Sequence, residues 1–241
     1  MSQTEQADRF WAKELGVDPA VLRSGGFHVI ERIDADPQPR AITVATRQST
    51  VVSLVNADAG RFEIAGLILE DLQRSPLRYL ASCTSSPSLN VRRPAYLAYW
   101  SGSAPPAPAR GEVAEFSGAD FASLASLQAA SPEEWAEAGV GPESRVFGQS
   151  LGDQVVAVAA YDRWPGQLAQ VRVFCHPRYR RRGLAAEALK AAVRGALAQG
   201  LLPQYRARHQ NRASLALAER SGFLEYGWMA TVRIFSREIQ Q

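Results

Sequence analysis

"HPRYRRRGLAAEAL", residues 176–189, stacks four arginines into five positions and then turns into an alanine-rich helix. The N-terminal end of a helix carries partial positive charge, so cations sit better in its last turn than ahead of its first. Two circumstances make such crowding tolerable: a solvated basic face, or an anion from outside lying against it. The residues on either side choose between them.

Upstream, "LAQVRVFC" (168–175) reads as a strand that Pro177 ends, because proline cannot donate to a ladder. Downstream, Leu189, Val193, Ala196 and Leu197 fall on one face of a helix over about 183–199, closed by Gly200. At a strand–turn–helix corner of this kind, backbone N–H groups without intrahelical partners point outward. Gly183 lets a phosphate approach where a Cβ would hold it away. Arginines then close over the anion in planar, charge-assisted contacts. Each such bond contributes about 1.5–3 kcal/mol before desolvation, so several suffice for a diphosphate.

Working outward, "RVFGQS" (145–150) and "QVVAVAAYD" (154–162) form a hairpin around Leu151–Gly152–Asp153. Trp164–Pro165–Gly166–Gln167 puts Pro and Gly at the centre of a type II turn leading into 168–175. "GEVAEFS" (111–117) is a short strand, and 118–137 hold one or two helices. Beyond the long helix come a strand at "PQYRARH" (203–209) and a helix over Arg212–Ser221 with Gly222 at its end. "FLEYG" (223–227) and "TVRIFS" (231–236) read as two closing strands. The order β-α-α-β-β-β-α-β-α-β-β predicts an α+β fold, a mixed and mostly antiparallel sheet flanked by helices.

"SGSAPPAPARG" (101–111) permits neither a helix nor a central strand. The expected organisation is a domain over 1–103, a linker over 104–110 and a second domain over 111–241. The first part reads as a smaller α/β domain. Ala7, Phe10, Trp11 and Leu15 make an apolar helical stripe stopped by Gly16, and Asp18–Pro19 opens a short second helix. "FHVIER" (27–32) and "STVVSLV" (49–55) are strand-like. Ile64, Leu67, Ile68 and Leu72 predict a helix over 59–73, and "PAYLAYW" (94–100) a last strand. This half carries no chemical motif and reads as a packing or substrate-shaping scaffold, a diverged partner domain that walls the acceptor slot.

Composition narrows the class. With 46% hydrophobic and 21% charged residues the chain can bury a core, and its net charge is only +3. The basic signal is therefore local, and without an aromatic platform or a second basic stripe nucleic acid is not the expected partner. Cys83 and Cys175 lie far apart without metal-ligand spacing and read as reduced thiols. Three scattered histidines do not make a metal site. The polar start "MSQTEQADRFW" lacks the basic and apolar regions of a secretory signal. No apolar run nears the roughly 18 residues of a membrane span. The expectation is a cytoplasmic protein with no membrane partner, a monomer or homodimer.

"VRVFCHPRYRRRGLA" (171–185) resembles the acetyl-CoA-binding motif of the GNAT acyltransferase superfamily, with Arg180-x-x-Gly183-x-Ala185 as its signature. "NRASLALAERSGF" (211–223) resembles the second signature, an Asn opening a helix that ends in Gly-Phe. Both stand in register, and the likeness covers about residues 111–236. It implies an acyl-CoA-dependent N-acyltransferase, with acetyl-CoA as co-substrate and a primary amine of a small molecule or peptide as acceptor. Backbone groups of Val173, Phe174 and Cys175 would pair with the pantetheine amides. Arg180, Arg181, Arg182, Gly183, Leu184 and Ala185 would form the pyrophosphate loop, and the Asn211 amide would touch the cofactor arm. The strands flanking the site would splay to admit the thioester.

The usual proton carriers are replaced. The family's Tyr, seven residues after the Asn, is Ala218, and its two glutamate positions are Arg206 and Ala169. Asp162, Tyr205, His209 and Tyr226 are candidate substitutes. Arg206 and Arg208 alternate onto one strand face and point to an acceptor carrying a carboxylate or phosphate beside its amine. Cys175 reads as a packed or cofactor-facing thiol. The alternative to an enzyme is a catalytically silent CoA-binding sensor or scaffold.

Overall fold

The computed structural model describes residues 2–116 and 118–234. Ser117 and, in the expected last strand, Phe235 and Ser236 lie outside the described residues. The chain forms two compact units: Met1–Leu97 with Ala207–Arg212 and Glu225–Gln241, and Ala98–Arg206 with Ala213–Leu224.

The first unit opens on α1 (Gln3–Leu15), capped reciprocally by Ser2 and Glu5 and ended by Gly16 at φ +74°. Its stripe of Ala7, Phe10, Trp11 and Leu15 is buried, as its spacing predicts. Pro19–Arg23 is a single 3-10 turn capped by the Asp18 carboxylate. Strand β1 (Gly26–Arg32) is followed by β2 (Arg40–Thr46) and β3 (Ser49–Val55). β2 escaped the sequence reading because five consecutive residues, Ala41–Ala45, are buried, which erases the alternation that marks a strand. The expected helix over 59–73 is two, α2 (Ala59–Ile64) and α3 (Leu69–Arg74), broken at Gly66 with φ +96°. The break turns Ile64 outward, 84% exposed, while Leu67 and Leu72 stay in the core. Helix α4 (Pro76–Ser82) and β4 (Leu89–Trp100) follow, β4 beginning upstream of the expected 94–100.

The second unit begins its ladder with β5 (Val113–Phe116). The helical stretch after it comprises a 3-10 segment (Gly118–Leu124), α5 (Ala125–Ala129) and α6 (Pro132–Ala138). β6 (Arg145–Leu151) and β7 (Gln154–Trp164) make the expected hairpin, and Gly166 at φ +69° turns the chain into β8 (Leu168–Cys175). Then come α7 (Leu184–Ala198), β9 (Leu202–Arg208), α8 (Arg212–Arg220) and β10 (Phe223–Ile234). β10 replaces the two closing strands expected from the sequence. Gly227 carries it through without a break, at φ +155° and so close to β2 that a Cβ would lie 1.9 Å from the Ala45 carbonyl oxygen.

Within the first unit the order is β1-β3-β2-β10, with β1 parallel to β3 and β2 antiparallel to both its neighbours. Val52, Leu54, Phe62, Leu72 and Leu80 share its core with Ala230 and Val232. Asp8, 3% exposed, accepts from the Tyr226 hydroxyl (2.8 Å) and pairs with Arg23, so the buried charge is compensated. Within the second unit the order is β9-β8-β7-β6-β5, antiparallel except for β8 with β9. One face packs Val146, Val158, Ala160 and Phe174 beneath Trp135 and Leu127, and α7 covers the other along β6, β7 and β8. The mixed, mostly antiparallel strands flanked by helices are those the sequence predicts.

Residues 101–111 hold neither helix nor strand, yet they do not hang free. The Arg110 N–H donates to the Glu187 carboxylate (2.7 Å), and Arg194 donates to the Pro106 carbonyl (2.8 Å). The proline-rich stretch is strapped along α7.

Candidate active site

The site is built where β8 loses one of its neighbours. β7 pairs with β8 along its whole length, from Trp164↔Leu168 to Ala157↔Cys175. β9 pairs only with Leu168–Val171, through Leu202–Tyr205, and from Arg172 onward the two strands part. The His176 N–H donates to the Val156 carbonyl (2.9 Å). Antiparallel alternation then turns the backbone groups of Phe174 and Arg172 toward β7 and those of Val173 and Cys175 toward the open edge. Phe174 anchors the strand by packing edge-on against Trp135, ring centroids 5.1 Å apart.

At the end of β8 a tight corner leads into α7. His176 Nδ1 accepts from the Arg178 N–H (3.1 Å), and its ring meets Tyr179 edge-on. The Arg182 guanidinium lies over the Tyr179 ring, 5.5 Å from its centroid. Arg181 (φ +64°) and Gly183 (φ +82°) both take left-handed backbone. The Ala186 and Glu187 N–H groups donate to the Gly183 carbonyl at 2.9 and 3.2 Å. Those of Leu184 and Ala185 precede this first turn and face out of the helix end. A Cβ on Gly183 would meet nothing within 4 Å.

Of the four arginines, Arg180 has a partner inside the chain, which corrects the expectation that all four await an external anion. It pairs with Glu134 of α6, and its Nε donates to the Cys175 carbonyl (3.2 Å). Arg178, Arg181 and Arg182 are exposed, and none makes an ion pair with another described residue. Exposed cations at the positive end of a 15-residue helix, around an open left-handed glycine, concentrate positive potential at this corner.

Residues 130–227 match the model of the GNAT acetyltransferase family. Among solved structures, an acetyltransferase from the GNAT family of Colwellia psychrerythraea aligns over 73% of this chain and 73% of its own. The identity is 15% and the TM-score 0.51, a likeness of fold. A GCN5-related N-acetyltransferase-like protein from Streptococcus suis covers 81% and 84% respectively, at 16% identity and TM-score 0.49. A GNAT-family protein from Novosphingobium aromaticivorans covers 62% and 69%, at 22% identity and TM-score 0.47. No curated protein matches the chain.

Val173 through Ala185 form one continuous segment of the second unit. Asn211 belongs to the first unit, exposed just before α8, its N–H donating to the Arg208 carbonyl (2.9 Å). Burial pushes the Cys175 thiol up from its ordinary range, against a smaller downward pull from Arg180. It is a protonated thiol at neutral pH, not a nucleophile. Glu187, in the first turn of α7, is pushed up by burial, but the Arg110 N–H and Lys190 outweigh that and hold it below the usual carboxylate range.

Three of the four candidate proton carriers are engaged elsewhere. Asp162 accepts from Ser144 Oγ (2.6 Å) and pairs with Arg172, which also donates to the Gly139 carbonyl (2.8 Å). The buried Tyr205 hydroxyl shares a hydrogen bond with Ser214 Oγ (2.9 Å), and that of Tyr226 is held by Asp8. His209 is exposed in the turn after β9. Ala169 and Ala218 are fully buried. Arg206 lies over the Trp164 ring at 5.1 Å and reaches Gln170 Oε1 at 3.4 Å. Sequence reasoning passed over Gln170, Gln204 and Glu134. Gln170 and Gln204 sit opposite each other in β8 and β9, and Gln204 donates to the Tyr99 hydroxyl (2.5 Å). Their signal was a glutamine inside each of two otherwise largely apolar strand segments. Glu134 had none, since its partner lies 46 residues away.

Proposed function

We propose that the protein is an acyl-CoA-dependent N-acyltransferase that moves an acetyl group from acetyl-CoA to a primary amine of a small molecule or peptide in the cytoplasm. The observation that carries this reading is the corner at Gly183. Its glycine leaves room that no protein atom fills, beside outward N–H groups and three arginines without a carboxylate partner among the described residues. This fits a diphosphate. The open edge of β8 at Val173 and Cys175 fits the extended pantetheine arm, which carries amides able to pair as a strand does.

In this reading Arg181, Arg182 and the N–H groups of Gly183, Leu184 and Ala185 hold the diphosphate, while Val173–Cys175 align the arm. Asn211 contacts that arm. When bound, acetyl-CoA supplies a thioester whose C–S bond breaks as the amine nitrogen forms its bond to the acyl carbon, leaving an amide and the CoA thiolate. An N–H on the open edge near Val173–Cys175 polarises the acyl oxygen as negative charge develops there. With Asp162, Tyr205 and Tyr226 held by other groups, water removes the ammonium proton and returns one to the thiolate. Arg206 recognises a carboxylate or phosphate on the acceptor.

Calorimetric titration with CoA, followed by thiol release from acetyl-CoA over a panel of amines, tests the reading. Binding with turnover supports it. Arg206→Ala should then lower activity toward anionic amines about tenfold while sparing simple ones, the size of one charge-assisted contact. The engagement of Asp162, Tyr205 and Tyr226 favours one second reading, a CoA-binding sensor without catalysis. Binding without turnover would select it, and an absence of binding would remove both.

A further inference from the structure

The contact between Glu134 and Arg180 is separate from anything the transfer reaction requires. α6 packs against β8 and is fixed to it and to the corner beyond it at three levels. Its first turn holds Arg180 through Glu134, its middle packs Trp135 on Phe174, and the Gly139 carbonyl at its end takes a hydrogen bond from Arg172. The lower two ties are close: a Cβ on Gly139 would lie 2.3 Å from the Arg172 guanidinium. The upper tie differs. Arg180 and Glu134 are 42% and 50% exposed, so water screens their attraction and the pair is weak.

We propose that Glu134 is a positioning residue that occupies Arg180 in place of the cofactor diphosphate and yields it when the diphosphate binds. This rests on the reading of the corner as a CoA site. A carboxylate bound to both terminal nitrogens uses the donors an anion would need, and Nε is already spent on the Cys175 carbonyl. Glu134 therefore competes with the diphosphate for Arg180. α6 is the element that reports occupancy, because release of Glu134 loosens the turn carrying Trp135.

Titration of the full chain with CoA tests this. E134Q should bind CoA about three- to fivefold more tightly than the wild type, the range a half-exposed ion pair can shift. The gain should vanish when Arg180 is changed as well, so that E134Q/R180Q binds no better than R180Q. Trp fluorescence should shift on CoA addition in the wild type, and shift less in W135F and in E134Q. Equal or weaker binding by E134Q, or a gain that persists without Arg180, overturns the proposal while leaving the CoA site standing. Failure of the wild type to bind CoA removes the CoA reading and this proposal with it.

Discussion

Two glycines, both at positive φ, separate what the fold needs from what function needs. Gly227, in the β10 ladder of the first unit, has no room for a side chain, since a Cβ would strike the Ala45 carbonyl. At Gly183, at the corner of the second unit, a Cβ would meet nothing within 4 Å. A crowded glycine is explained by its neighbours. An uncrowded one in left-handed backbone at a helix start, ringed by arginines, is what the proposed diphosphate site rests on.

The strongest break of this comparison is Gly227→Ala. Relieving a backbone clash that close requires β2 and β10 to separate, at a cost of several kcal/mol out of a typical 5–15. A thermal melt should show the midpoint lowered by about 10 °C or more, or no soluble protein. Wild-type melting would mean that the crowding is readily relaxed. Gly183→Asp should do the reverse. Left-handed backbone costs a residue with a Cβ about 1–2 kcal/mol, a few degrees in the melt. A carboxylate against the diphosphate should weaken CoA binding at least about 100-fold, the loss of two or more charge-assisted contacts.

Arg182→Ala sharpens the same contrast. Calorimetry should show CoA binding weakened about five- to tenfold, with a shallower dependence on salt, and thermal stability unchanged because the residue is exposed. The smallest effect belongs to the closed polar knot in the first unit. The Tyr79 hydroxyl accepts from the Ile68 N–H (2.6 Å) and donates to the Gly66 carbonyl (3.0 Å) across the α2–α3 break. Burial pushes its pKa up to about 12 from an ordinary 10.0. The neutral form is the one the fold favours, so its contribution is present below pH 10 and is lost as pH rises through about 12. Ultraviolet titration should show a tyrosine that ionises late in the wild type and is missing from Tyr79→Phe.

The corner was legible in the sequence because its signals are local. A proline stopping a strand, a glycine opening a helix and a run of arginines all lie within 14 residues of one another, and the structure keeps them together. The β6–β7 hairpin and the caps of α1 were legible for the same reason. β2 was hidden by burial on both faces, and the unity of β10 by a glycine that resembles a stop. The helix over 59–73 failed because helical spacing continued through Gly66 while the backbone did not. Engagement of Asp162 by Arg172, and of Arg180 by Glu134, depends on strands and helices meeting across the fold. No spacing in the chain announces such meetings.

The ladder between β2 and β10 has a further consequence. Gly227–Arg233, near the end of the chain, lie against Arg40–Thr46, near its start. A gene divided at the proline-rich stretch would leave each product with an orphaned strand edge, open to association with any neighbour. Recombination could therefore pass this protein on whole, but could not trade its halves as independent modules.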